Sequence, residues 1–352
     1  MVIFTIIGSI IGAGFASGQE IYLFFYKYGV KGIYGLILCS FFISLIIYKS
    51  LKIIYENNVT DYLEFLKIIF KSNTHNRNNK YLNLSFINNV IINLFLLVTF
   101  FIMVAGFGAF FEQEMEIRGI LGASILAISS YFIFKKNMNG ITKINSIAVP
   151  ILLIIIFILG LKNIKCIENI KFIEQNDVYN LKWIYKAIIY ASYNIILLIP
   201  VLVNLKNFIK NKKHIWLISF FSGLIFFILA ICVFLIILNV DVPFEKLQMP
   251  TIYVVKKYFK EFKILYGIVI LISIFTTAIS IGVSFLDNIC KQKKSYPQYA
   301  KIMCITSIFF SNFGFSKLVE ILFPVFGFLG LLQIALIIFN SSLNKKNICN
   351  KH

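Results

Sequence analysis

The feature that most constrains this chain is the length of its apolar runs. Blocks of about twenty residues recur from one end to the other, and a bilayer core of about 30 Å needs about that many to be crossed as a helix. A helix in a water-soluble core shows an apolar stripe, whereas these segments are apolar all round. Charged residues make up 14% of the chain and hydrophobic ones 59%; a soluble domain carries roughly 25% charged. The chain therefore reads as an all-α integral membrane protein forming a single transmembrane domain over residues 1–352.

About ten spans are expected, over 2–26, 30–48, 86–111, 117–134, 141–161, 183–205, 215–238, 263–290, 299–314 and 318–341. Between them, 162–182 and 239–262 are long and mixed, and residues 251–262 form a pattern suited to an amphipathic helix lying on the membrane surface. The stretch 49–85 is polar and Asn-rich at its centre, a loop with a helical start at most. The first apolar segment lacks a basic leader and carries Gln19 and Glu20 where a cleavage site would be sought, so it reads as a span rather than a signal peptide.

The net charge of +19 is topogenic. The lysines sit in loops between apolar spans, with no basic–aromatic groove or motif for nucleic acid. With both termini in the cytoplasm, twenty of the 34 Lys and Arg residues fall inside, the arrangement that the positive-inside rule favours. Glu112, Glu114 and Glu116 then lie outside, and Trp183 and Trp216 fall at span ends, where an aromatic belt places them. The six cysteines make no CxxC and no metal-ligand spacing with histidine. Cys39, Cys232 and Cys304 lie inside spans as small apolar residues, and no structural disulfide or cofactor is expected.

The first span contains Gly8, Gly12, Gly14 and Gly18, and each glycine weakens a helix by about 1 kcal/mol relative to alanine. Gly12–Gly14 fall near the bilayer midplane, where non-helical backbone survives only against protein or a cavity. The alternative is a small-residue packing face, since Gly14 and Gly18 make a GxxxG pair. Gln19 and Glu20 favour the break, because an ionisable residue inside a span faces a polar pathway or a partner; snorkelling of Glu20 to the outer surface is the competing reading.

If the chain is two halves of five spans with inverted topology, about 1–161 and 183–341, the sixth span mirrors the first. Its centre, Tyr190-Ala191-Ser192-Tyr193-Asn194, is a polar cluster at the depth of Gly12–Gly14. Paired interruptions of this kind point to a transporter binding site, so spans 1 and 6 are both expected to be broken. In the eighth span, Ser273, Thr276 and Thr277 put a carbonyl and two hydroxyls on one face. They are hard oxygens suited to a small cation, or hydroxyls bonded back to their own helix.

The string Gly-Ser-Ile-Ile-Gly-Ala-Gly-Phe-Ala-Ser-Gly-Gln-Glu at 8–20 resembles the N-terminal signature of the YkvI-type bacterial membrane proteins. That family looks like a branch of the amino acid–polyamine–organocation superfamily, whose members share the five-plus-five LeuT fold. The resemblance implies a plasma-membrane location and a sodium ion held by the carbonyls of Gly8 and Ile11 with Ser273, Thr276 and Thr277. It also implies a small solute between Gly12, Ala13, Gly14, Phe15, Ala16, Ser17 and Glu20 on one side and Tyr190, Ser192, Tyr193 and Asn194 on the other. Phe107 of the third span would be a neighbouring wall.

The expected function is cation-coupled uptake of a small zwitterion such as an amino acid, with Na+ as the coupling ion or H+ carried on Glu20. A receptor on the same fold that binds solute without moving it is the rival. An enzyme is not expected: there is no HExxH or GxSxG, and His75, His214 and His352 all lie in loops or the tail. The sequence does not determine the oligomeric state.

Overall fold

The computed structural model describes residues 2–71, 80–136, 141–164, 181–290 and 295–349. The Asn-rich centre of the 49–85 stretch lies outside them, as do most of 162–182, residues 291–294, His75, Cys166 and His352. Every regular element among the described residues is a helix.

The first span is three short helices, α1 (Val2–Ile10), α2 (Ala13–Ala16) and α3 (Gln19–Phe24). Then come α4 (Val30–Glu56), α5 (Tyr62–Lys71), α6 (Lys80–Met115), α7 (Gly119–Lys136) and α8 (Ile141–Lys162). The second half holds α9 (Lys182–Asn204), α10 (Lys212–Ile237), α11 (Pro250–Tyr258), α12 (Lys263–Ile289), α13 (Tyr296–Ser311) and α14 (Phe315–Cys349).

Among the described residues, six helices are long and apolar enough to cross a membrane: Val30–Glu56, Asn89–Met115, Lys182–Asn204, Lys212–Ile237, Lys260–Ile289 and Phe315–Ile338. Gly119–Lys135 and Pro150–Lys162 are shorter apolar helices. Bulky side chains such as Phe41, Ile128, Phe132, Ile154, Phe309 and Phe328 are exposed along these rods, which suits a surface solvated by lipid tails. The chain is a helical, multi-pass membrane protein.

The helices pack in two groups. In one, α9 lies between α4 and α14, with α10 on α4 and α1 on α9 and α10; in the other, α12 packs on α6 and α8, and α13 on α6 and α7. Contacts of α10 with α8, and of α14 with α6, join them. The α9–α14 crossing is tight because Gly327 and Gly330 bring α14 onto the carbonyls of Ile189 and Ser192, leaving no room for a methyl group.

Three expectations are corrected here. The sixth span is not broken: α9 is continuous from Lys182 to Asn204. It has no glycine, and its polar side chains bond to their own helix, Ser192 Oγ to Ile188 O at 2.7 Å and Asn194 Nδ2 to Tyr190 O at 2.9 Å.

The 49–85 stretch is more helical than read. The second span runs on to Glu56 and α5 follows, started by Asp61, which accepts from the Glu64 amide at 2.8 Å. Glu64 in turn accepts from the Thr60 amide and hydroxyl at 2.7 and 2.8 Å. Reciprocal bonds of this kind satisfy the free amides of a helix start. Phe65, Leu66 and Ile69 bury the apolar stripe of α5.

The amphipathic stretch after residue 250 does not rest on the membrane surface by its apolar face. Thr251, Ile252, Val254 and Val255 are buried, and α11 packs between α10 and α12.

Candidate functional site

The backbone of the first span is interrupted twice. Gly12 is extended at φ −93°, ψ −170°. Its amide donates to Ile10 O (3.2 Å) in place of the Gly8 carbonyl that a continuing helix would use. The ladder of α2 restarts with Ala16 N to Gly12 O (3.0 Å). Gly8 and Ile11 therefore fall among the last carbonyls of α1, the groups a helix end leaves without intrahelical donors.

The second interruption is at Ser17-Gly18, where Gly18 adopts the left-handed φ of +80°. The carbonyls released there are taken up across the molecule. Thr251 Oγ1 and Tyr266 Oη both donate to Ala16 O, at 2.7 and 2.8 Å, and the Thr251 amide donates to Ser17 O at 3.0 Å. The start of α11 thus closes over the turn.

Between the interruptions lies the centre of the site. Glu20, 4% exposed, folds its side chain back from α3 onto α2. A methyl group at Gly14 would occupy the volume of the Glu20 carboxyl, so the carboxyl rests on bare backbone. Its Oε2 accepts from Tyr193 Oη at 2.5 Å and from Tyr190 Oη at 3.0 Å. The tyrosines stand one turn apart on α9, with ring centroids 5.1 Å from each other.

Aromatic rings wall this cluster. Phe24 and Phe25 meet the Tyr190 ring edge-on at 5.2 and 5.0 Å, Phe226 lies at 6.1 Å, and Phe323 stacks on Tyr193 at 4.7 Å. Cations of the flanking elements stand by Phe24. Lys186 Nζ is 5.4 Å from the centre of that ring, and Lys27 pairs with Glu320 at 3.6 Å. These three charged groups, with Phe24, line a cavity of about 140 Å³.

Of the expected solute-site residues, the structure brings Gly14, Glu20, Tyr190 and Tyr193 together. Phe15 packs on Phe226 (5.9 Å), while Ala13, Ala16 and Ser17 are fully buried around the turn. Ser192 has its hydroxyl on its own helix and its carbonyl against Gly330, and Asn194 bonds to Tyr190 O. Phe107 stacks on Phe111 at 5.4 Å along α6. Gln19 is buried with its Oε1 unpaired.

Of the expected ion-site residues, Thr276 Oγ1 donates to Ile272 O (2.9 Å) and lies 3.2 Å from Ser273 O. Ser273 Oγ is buried and unpaired, and Thr277 is half-buried. α12, which carries them, packs on α2.

Sequence reasoning missed Thr251, Tyr266, Phe24, Phe226 and Phe323. An isolated Thr or Phe in an apolar chain carries no signal; only the 235 residues closed between Thr251 and Ala16 by folding reveal that pair.

Residues 245–351 match the family model described as "Branched-chain amino acid transport protein". Along nearly its whole length the chain is similar to the uncharacterized membrane protein YkvI of Bacillus subtilis (strain 168), with 25% identity over 351 residues, 98% of this chain and 96% of the relative. The uncharacterized protein YyaD of the same strain is also 25% identical, over 342 residues, 97% of this chain and 96% of that one. Among solved structures, a mutant manganese transporter of Eremococcus coleocola shares the fold with a TM-score of 0.61 at 12% identity, covering 96% of this chain and 77% of that one.

Proposed function

We propose that this chain is a secondary transporter that couples movement of a small amino acid to a monovalent cation, Na+ or H+. The observation that carries the reading is Glu20: a buried carboxyl at a twice-interrupted span, held by two tyrosines of another helix inside an aromatic box. A buried acid of this kind in a membrane costs several kcal/mol unless a positive group joins it, and such residues mark substrate and ion pathways. The aromatic walls suit an apolar side chain, and the match of residues 245–351 points to branched-chain amino acids.

The pairing of spans supports a ten-span inverted repeat. The first two spans of one half (α1–α4) pack with the first two of the other (α9, α10), and the next two (α6, α7) with their counterparts (α12, α13). One group rocking against the other around Glu20 is the alternating access that such repeats perform. The sodium seat at Gly8, Ile11, Ser273, Thr276 and Thr277 is part of the proposal, supported by the freed carbonyls of α1.

The manganese carried by the similar structure's protein is a less good fit to this chain. Mn2+ prefers several hard oxygen donors, and among the described residues no three of His, Cys, Asp and Glu come together.

The test is uptake of radiolabelled L-leucine into liposomes holding the purified protein, under a sodium gradient and again with potassium on both sides. Gradient-dependent uptake that Glu20→Ala abolishes supports the reading. Binding of leucine without uptake under any ion gradient would convert it to a receptor.

A further inference from the structure

We propose that the Glu20 carboxylate is a single seat for positive charge, which a proton fills in the empty carrier and the ammonium group of the solute fills in the loaded one, so that binding releases one proton. This deepens, and rests on, the reading of the Glu20 box as the solute site.

The case is one of charge counting in a closed space. Glu20 is the one charged residue of α2 and α3. The elements packed against α3 are α9, α10, α14, α2 and the short turn Tyr26–Tyr28. From α9 come the Tyr190 and Tyr193 hydroxyls, both on Oε2. The wall facing α10 is Phe226 and that facing α14 is Phe323. α2 offers only the backbone of Gly14. Lys186 of α9, Lys27 of the turn and Glu320 of α14 gather with Phe24 around a cavity that Glu20 does not line. No built-in cation therefore contacts the carboxylate among the described residues.

A net charge in such a box costs several kcal/mol, so one positive charge and no more is held there at a time. In the empty box that charge is a proton. The Glu20 carboxylate, its Oε2 held by two tyrosine donors and aromatic rings around it, provides for an ammonium group what it provides for a proton, an anionic acceptor among π systems. When the ammonium enters, the carboxyl O–H bond breaks, its electron pair stays on Glu20 and the proton departs to water. An amine leaves the box neutral by itself. The carboxylate of an amino acid brings a further negative charge and so needs its own cation, the role given above to sodium.

Three probes separate the parts of this proposal: L-leucine, isoamylamine (the same side chain without the carboxylate) and isocaproate (without the amine). Each is titrated calorimetrically into the full-length protein in two buffers of different protonation enthalpy, with sodium and with potassium. The expected result is release of about one proton per leucine or isoamylamine bound, with affinity rising about tenfold per pH unit until the seat has lost its proton. Isoamylamine binds equally in sodium and potassium, leucine needs sodium, and isocaproate does not bind.

Glu20→Gln, which keeps an acceptor for the tyrosines, releases no proton and loses isoamylamine. Tyr193→Phe, which keeps the ring, still binds isoamylamine but needs a higher pH to reach half its limiting affinity. Leucine binding with no proton release overturns the proposal and leaves the transporter reading standing, with the proton travelling alongside the solute. Failure of wild-type protein to bind either leucine or isoamylamine, in either cation, overturns both.

Discussion

An alanine methyl at Gly12 would meet open space, whereas at Gly14 it would fall on the Glu20 carboxyl. The two glycines, two residues apart, therefore serve different ends. Gly12 stands in ordinary extended backbone and contributes a low helix propensity, so Gly12→Ala favours rewinding of the break by about 1 kcal/mol. It is expected to leave thermal stability near wild type while slowing leucine uptake, measured on the same preparation. Gly14→Ala forces the carboxyl away from its tyrosines and is expected to cost about 1–3 kcal/mol as overpacking. It should also remove solute-induced thermal stabilisation. The sequence showed four glycines near an acid but not which of them the acid rests on.

The start of α11 decides how the turn at Ser17-Gly18 of the first span is held. The start of α11 is fixed by Gln113 of α6, whose Oε1 accepts from the Gln248 and Met249 amides at 3.1 and 2.9 Å, and it delivers Thr251 to the turn at Ala16-Ser17. Thr251→Val and Tyr266→Phe each remove a donor to the same carbonyl, at about 0.5–1.5 kcal/mol. The double variant should lose more than the sum of the two, because only then is Ala16 O left with neither side-chain donor; chemical denaturation in detergent measures the difference.

In α5, Glu64 is held below the ordinary carboxylate value of 4.5 by the Thr60 amide and hydroxyl that it accepts from. A lowered folded value means that its stabilisation is complete above the ordinary value and is lost as pH falls through the lowered one. Protection of the α5 amides against hydrogen exchange, relative to the intrinsic rate at each pH, is expected to fall on acidification below that value in wild type, and to lose this dependence in Glu64→Gln.

For the whole molecule, the two packing groups meet where α10 contacts α8 and α14 contacts α6, while the tyrosines and aromatic walls of the Glu20 box come from one of them. If a proton leaves as a sodium ion and a zwitterion enter, no net charge crosses in a cycle. Leucine accumulation in liposomes is then expected to follow sodium and pH gradients but not an imposed membrane potential. A carrier moving one net charge would instead gain about 2.3 kcal/mol per 100 mV, about fiftyfold in accumulation. Holding the ion gradients fixed while setting the potential with a potassium ionophore distinguishes the two.

The sequence by itself determined the solvent of this protein, its secondary structure class and the place where its first span gives way. These follow from the apolar length of each run and the helix propensity of each residue, which are local and sum along the chain. Tyr190–Asn194 was also legible as a polar patch facing the break, because polar side chains in a span need a reason. Tertiary structure alone decided the rest. α9 stays wound because it has no glycine and its Ser192 and Asn194 side chains find partners in their own helix; α11 turns inward because the loop before it is tied to α6 and α14 by Gln113 and Gln248. Glu20 finds its tyrosines 170 and 173 residues away. A hydrogen bond across that separation depends on how several helices pack at once, and no local property of the chain encodes it.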